Sequence, residues 1–200
     1  MKLLSTLLVT LLLSACGDSS SQLRPLKSDA TILAFGDSLT EGYSVNKDDS
    51  YPAQLAKLTN RNIINAGISG EVSEIGLSRL PGLLAKHEPE LVIICHGGND
   101  ILRKQSMAEM QSNLTKMITL AKNAGADVIL MAVPNFGLFL SSHETYIKIA
   151  DETGVVFMED LIPDILSDKS LKSDTVHPNK LGYQLMADTI YDVLKSKGAL

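Results

Sequence analysis

Thr31-Ile32-Leu33-Ala34-Phe35 is a short, unbroken apolar run that stops at Gly36-Asp37-Ser38-Leu39-Thr40. A short run of this kind bounded by a turn signal is expected to form a buried strand. A serine just past the carboxyl end of such a strand stands at the rim of a sheet, where open α/β folds hold their ligands. Ser38 is therefore a candidate nucleophile, although Gly-Asp-Ser after a strand is also ordinary turn chemistry.

Four more apolar runs follow: Ile63-Ile64, Leu91-Val92-Ile93-Ile94-Cys95, Val128-Ile129-Leu130-Met131-Ala132-Val133 and Val155-Val156-Phe157. The run at 91–95 has no polar alternation, as expected for a strand covered on both faces. Helical segments lie between the runs. Ser50-Tyr51-Pro52 reads as a helix start, with Leu55 and Leu58 facing inward. Residues 74–86 are helical in composition but contain Pro81, which predicts two short helices. Ser106 and Glu109 form a capping box for a long helix that buries Met107, Met110, Leu114, Met117, Ile118 and Ala121 and ends at Gly125. Further helices are expected near 144–152 and over 180–197, with an irregular stretch leading to Asp174. Strands alternating with helices imply a parallel sheet covered on both faces.

The 200 residues suit one domain with a sizeable core. A net charge of −5 with no run of Lys or Arg argues against nucleic acid as a partner. At the start, Lys2 precedes an apolar core at 3–13 that is too short to span a bilayer and reads as a secretion signal. Leu13-Ser14-Ala15-Cys16 resembles the bacterial lipobox, so Cys16 is expected to be lipidated and to anchor the chain to a membrane. The expected division is a signal peptide at 1–15, a lipidated Cys16 with a flexible tether at 16–28, and a catalytic domain at 29–200. Gly17 follows Cys16 in place of the aspartate typical of inner-membrane retention, which points to the outer membrane. Cys95 then has no disulfide partner and reads as an inert buried thiol.

A serine becomes nucleophilic beside a base, and a histidine base works best when a third group fixes its tautomer. Of four histidines, His87 follows an amphipathic helix and reads as a solvated surface group, His143 lacks a suggestive acid, and His96 has no obvious orienting partner. His177 follows Asp174 by three residues and precedes Pro178, which favours an extended loop. Asp174 could hold one imidazole nitrogen while the other faces Ser38. The oxyanion of an acyl-transfer intermediate needs fixed donors. Gly70, in Asn65-Ala66-Gly67-Ile68-Ser69-Gly70, could bring a backbone N–H close. Asn99, in Gly97-Gly98-Asn99-Asp100, could offer its amide, and the Ser38 N–H is a natural third donor.

These four blocks, in this order and covering nearly all of the chain after residue 28, resemble the motif blocks of the SGNH (GDSL-type) hydrolases. The nearest likeness is to the bacterial thioesterase I/lysophospholipase and arylesterase branch. That resemblance implies Ser38 as nucleophile, His177 as base, Asp174 as its orienter, and an oxyanion hole from Ser38, Gly70 and Asn99. It also implies a flavodoxin-like three-layer α/β/α sandwich with a central parallel five-stranded sheet, and no metal or other cofactor. Two features depart from the branch: Glu71-Val72 stand where Asp-Thr is frequent, and His96 stands where an apolar residue is frequent. Phe136, Leu138 and Phe139 could wall a substrate pocket or pack on the core. The expected activity is hydrolysis of aryl or short-chain esters, with lysophospholipids and acyl thioesters as further substrates, by a monomer. Alternatives are an envelope carbohydrate deacetylase, an acyltransferase, and a lipid-anchored binding protein whose catalysis has decayed.

Overall fold

A computed structural model of the chain describes residues 21–135 and 140–200. In chain order the elements are β1 (Thr31–Gly36), α1 (Ser38–Glu41), α2 (Tyr51–Thr59), β2 (Asn62–Gly67), α3 (Ser73–His87), β3 (Leu91–Cys95), α4 (Gly98–Leu102) and α5 (Met107–Asn123). They continue with β4 (Asp127–Met131), α6 (Glu144–Thr153), β5 (Val156–Met158), α7 (Leu161–Ser167) and α8 (Lys180–Ser196). The apolar runs form a five-stranded sheet in the order β2-β1-β3-β4-β5, and every pairing is parallel. This is the expected flavodoxin-like order. α2 packs on α8, while α5 packs on α3 and α6, so two helical layers enclose the sheet.

The chain leaves β1 toward β2 on one side and returns through β3 on the other, so the strand order reverses between β1 and β3. Their carboxyl ends border the crevice where such sheets bind ligands. Gly36 is paired with Gly67 on one side and Cys95 on the other. A β-carbon at Gly36 would collide with the Cys95 carbonyl and the Thr40 hydroxyl, so only glycine lets the turn to Ser38 start here. β3 is buried along its whole length, and each large apolar side chain there contributes about 1.5–3 kcal/mol of burial.

Four expectations are corrected. Residues 73–87 form one helix, with Pro81 inside it. Pro81 is exposed, and buried Gly76, Leu80 and Leu84 hold the helix to the core on both sides of it. Leu58 is exposed, because α2 buries the row Tyr51, Leu55 and Thr59, which leaves Leu58 off the stripe. The stretch before Asp174 contains α7, whose Pro163 lies in the first turn, where backbone N–H groups lack helical partners. Finally, the described part of the expected tether is packed down. Leu23 and Leu26 are buried, and their N–H groups donate to the carbonyls of Lys197 and Ala199. Arg24 pairs with Asp127 at the start of β4, so this strap lies at the end of the sheet opposite Ser38. Residues 1–20, with the signal and Cys16, lie outside the described residues.

Candidate active site

Asp37 caps α1, its Oδ1 accepting the Leu39 N–H at 3.1 Å, while its main-chain carbonyl accepts from Thr40 and Glu41. The cap turns the chain sharply and sets Ser38 at the head of a single helical turn. Asp37 is buried, and burial pushes its carboxyl up from the ordinary value. It faces Asn99 and the turn, not an imidazole nitrogen.

The loop after α7 comes back over Ser38. Lys172 and Pro178 form an antiparallel bridge, and the Ser173 N–H donates to the His177 carbonyl at 2.9 Å. Asn179 caps α8 by accepting from Leu181 and Gly182. Within this frame Asp174 Oδ1 accepts the N–H groups of Val176 and His177, both at 2.8 Å. Asp174 Oδ2 meets His177 Nδ1 at 2.8 Å, and His177 Nε2 meets Ser38 Oγ at 3.0 Å. Burial works to raise the Asp174 carboxyl, but the hydrogen bonds from Val176 and His177 outweigh it and hold the group below its ordinary value. The Tyr43 ring lies against the His177 imidazole, centroids 4.4 Å apart and tilted by 38°.

Ser38, Gly70, Asn99 and His177 line one cleft of about 200 Å³. Gly70 has φ +78°, a left-handed backbone that other residues resist, and its carbonyl accepts from Arg103 Nη2 at 2.8 Å. Asn99 Nδ2 donates to the Glu71 carbonyl at 3.1 Å and to Asp37 Oδ2 at 3.3 Å. Asp100 accepts both the Ser73 N–H and its hydroxyl, at 2.9 and 2.6 Å, tying this turn to the start of α3.

All five residues expected at the site thus converge on it. Phe136, Leu138 and Phe139 lie outside the described residues, as does Cys16. Cys95 is buried and its thiol is pushed well up by burial, which suits the inert role. His143 caps α6, its Nδ1 accepting from Thr145. His96, expected to lack an orienting partner, has one in Glu71 at 3.0 Å, a residue twenty-five positions away that a local motif does not reveal. Tyr43, Leu102 and Val133 also line the cleft, and nothing in their sequence setting marks them. Among the described residues, no three His, Cys, Asp or Glu side chains converge as a metal would require.

Residues 34–185 match the sequence model of the GDSL-like Lipase/Acylhydrolase family. The chain is 34% identical over 182 residues to an arylesterase of Vibrio mimicus, covering 86% of this chain and 88% of that protein. It is 32% identical over 166 residues to thioesterase 1/protease 1/lysophospholipase L1 of Escherichia coli K12, covering 79% and 80%. Among solved structures, the psychrotrophic esterase EstA of Pseudoalteromonas sp., inhibited by monoethylphosphonate, superposes with a TM-score of 0.74 at 34% identity, covering 84% of this chain and 98% of that one.

Proposed function

The chain belongs to the GDSL-like lipase/acylhydrolase family and is a carboxylic ester hydrolase, and we propose that it works by acyl transfer through Ser38. What carries this reading is the continuous line of contacts from Asp174 Oδ2 through the His177 ring to Ser38 Oγ, 2.8 and 3.0 Å, opening into a cleft.

Neutral His177 takes the Ser38 proton at Nε2 as Oγ adds to the ester carbonyl carbon. Ionised Asp174 keeps the other ring proton on Nδ1 and stabilises the imidazolium. The negative oxygen is held by the N–H groups of Ser38 and Gly70 and by the Asn99 amide. In the free enzyme that amide is shared between Glu71 and Asp37, and an arriving oxyanion competes for the longer bond, the one to Asp37. Collapse breaks the ester C–O bond, and the Nε2 proton goes to the leaving oxygen. Water then gives a proton to Nε2 as it adds to the acyl-enzyme, and collapse breaks the acyl–Oγ bond, releases the acid and returns the Nε2 proton to Ser38 Oγ.

The names of the relatives support aryl esters, lysophospholipids and acyl thioesters as substrate classes. They do not favour deacetylation, acyl transfer to alcohols or a decayed binding role. The cleft of about 200 Å³ suits small acyl or aryl groups. Export and lipidation at Cys16 rest on the signal-like start and the Leu13-Ser14-Ala15-Cys16 motif. Cys16→Ser is expected to release the protein from the membrane fraction with its kcat unchanged.

The decisive experiment is Ser38→Ala, assayed on phenyl acetate and with a fluorophosphonate probe. Loss of both hydrolysis and labelling is expected. Wild-type hydrolysis by Ser38→Ala would sink the mechanism.

A further inference from the structure

Glu71 joins two parts of the molecule. Its main-chain carbonyl accepts the Asn99 amide, and it directly follows Gly70, so its backbone fixes two of the three donors assigned to the oxyanion. Its carboxylate, 3% exposed, turns the other way into the protein. There Arg79 donates to it from Nε at 2.8 and 2.9 Å and from Nη2 at 2.7 Å, and His96 Nε2 meets Oε2 at 3.0 Å. Arg79 Nη2 also donates to the carbonyls of Ala66 and Gly36, at 2.8 and 3.2 Å, and its guanidinium lies 4.3 Å from the Phe35 ring centroid. The ends of β1, β2 and β3 therefore converge on one carboxylate.

His96 is fully buried just past the end of β3. Its Nδ1 accepts the Gly97 N–H at 2.9 Å, so that nitrogen carries no proton, and the ring proton sits on Nε2, aimed at Glu71. Space for the ring comes from Gly76 in α3, where a β-carbon would collide with His96 Nε2. Glycine inside a helix costs about 0.5–1 kcal/mol relative to alanine. The helix gives up that stability and admits an imidazole.

We propose that His96 is a positioning residue of the oxyanion hole. It donates from Nε2 to Glu71 and so fixes the backbone that presents the Gly70 N–H and the Asn99 amide. This rests on the reading of Ser38 as nucleophile. An apolar side chain at 96 could fill the volume but could not make the bond, and the Glu71 carboxylate would be held by Arg79 alone. Oxyanion donors act chiefly in the transition state, so their misplacement lowers kcat more than it changes KM.

The test uses the full chain, p-nitrophenyl acetate, and His96→Gln, His96→Asn and His96→Leu beside Ser38→Ala. Glutamine carries an amide N–H to about the place of Nε2, whereas asparagine is too short to reach Glu71. His96→Gln should keep kcat within about threefold of wild type, and the Asn and Leu variants should lose about tenfold or more, all with KM within about twofold. In an Asn99→Ala background, the loss from His96→Leu should shrink, because the part of it that acts through the Asn99 amide is already gone. A wild-type kcat in His96→Leu, equal losses in the Gln and Asn variants, or an undiminished loss beside Asn99→Ala would each overturn the proposal. Should His96→Leu fail to fold, the contrast between Gln and Asn still decides. Full activity in Ser38→Ala would instead overturn the esterase mechanism, however the His96 variants behave.

Discussion

His177 and His96 each hold one ring nitrogen against a carboxylate, at 2.8 Å from Asp174 and 3.0 Å from Glu71. The second nitrogen separates them. In His177 it is Nε2, turned toward Ser38 Oγ in an open cleft, with the ring 16% exposed. In His96 it is Nδ1, already occupied by the Gly97 N–H and sealed from solvent. The rings therefore carry opposite tautomers: Asp174 puts the proton on Nδ1 of one, and Glu71 with Gly97 puts it on Nε2 of the other. A neighbouring carboxylate does not by itself make a base. The base is the histidine whose remaining nitrogen can accept a proton from a nucleophile.

The comparison breaks most sharply at His177. His177→Ala should lower kcat by about 10⁴-fold or more, with the remaining rate coming from the oxyanion donors and binding. Loss of only a few-fold would mean that the 3.0 Å contact to Ser38 carries no proton. Asp174→Asn is subtler. Oδ1 of Asp174 is held by two backbone N–H groups, so in the variant the amide NH₂ must face Nδ1. That donor forces the ring proton onto Nε2 and gives His177 the tautomer His96 already has. A loss of about 10³-fold in kcat with an intact fold is expected, and steady-state kinetics with a thermal melt check it. Next in size is Asn99→Ala, at about 10²–10³ in kcat with little change in KM. A change confined to KM would place Asn99 in substrate binding and not at the oxyanion.

Much of this site was legible because its signals are local. Gly36-Asp37-Ser38, Gly70 and Gly97-Gly98-Asn99 lie at or just past the ends of apolar runs, strand ends on one edge of a parallel sheet are brought together by topology alone, and Asp174 and His177 share one short loop. The apolar runs gave only a parallel sheet covered on both faces; the flavodoxin-like arrangement was implied by the family resemblance those blocks carry. The Glu71–Arg79–His96 network was not legible, since its members come from a loop, a helix and a strand end, and each looks ordinary in its own segment. Pro81 misled because a proline rule is local, whereas the helix through it is held by Leu80 and Leu84 in the core. The strap at 21–27 looked like a polar tether, and Leu23 and Leu26 become informative only once the chain just past α8 comes back to pair with them.

The smallest expected effect separates the two pairs by stability instead of rate. Burial works to raise the Glu71 carboxyl, but hydrogen bonds from His96 and Arg79 outweigh it and hold the group below its ordinary 4.5. A carboxyl with a lowered folded-state value stabilises the fold in its ionised form, above the pH at which the unfolded chain titrates. That contribution is lost as pH falls through the folded-state value. Glu71→Gln should therefore cost about 1–3 kcal/mol at neutral pH, from lost charged hydrogen bonds. The deficit should shrink as pH falls through the lowered folded-state value, where wild-type Glu71 also takes up its proton. Urea unfolding of both proteins across that range is the measurement, and an undiminished deficit at the acid end would mean that the carboxylate charge contributes nothing. Asp174 is lowered in the same direction from 3.8, but its side chain is 44% exposed, so solvent screens its pairing and Asp174→Asn should show the weaker pH-dependent deficit. If the ranking came out reversed, with Asp174 the larger stabiliser, then the buried pair would not be the one that holds the strand ends together.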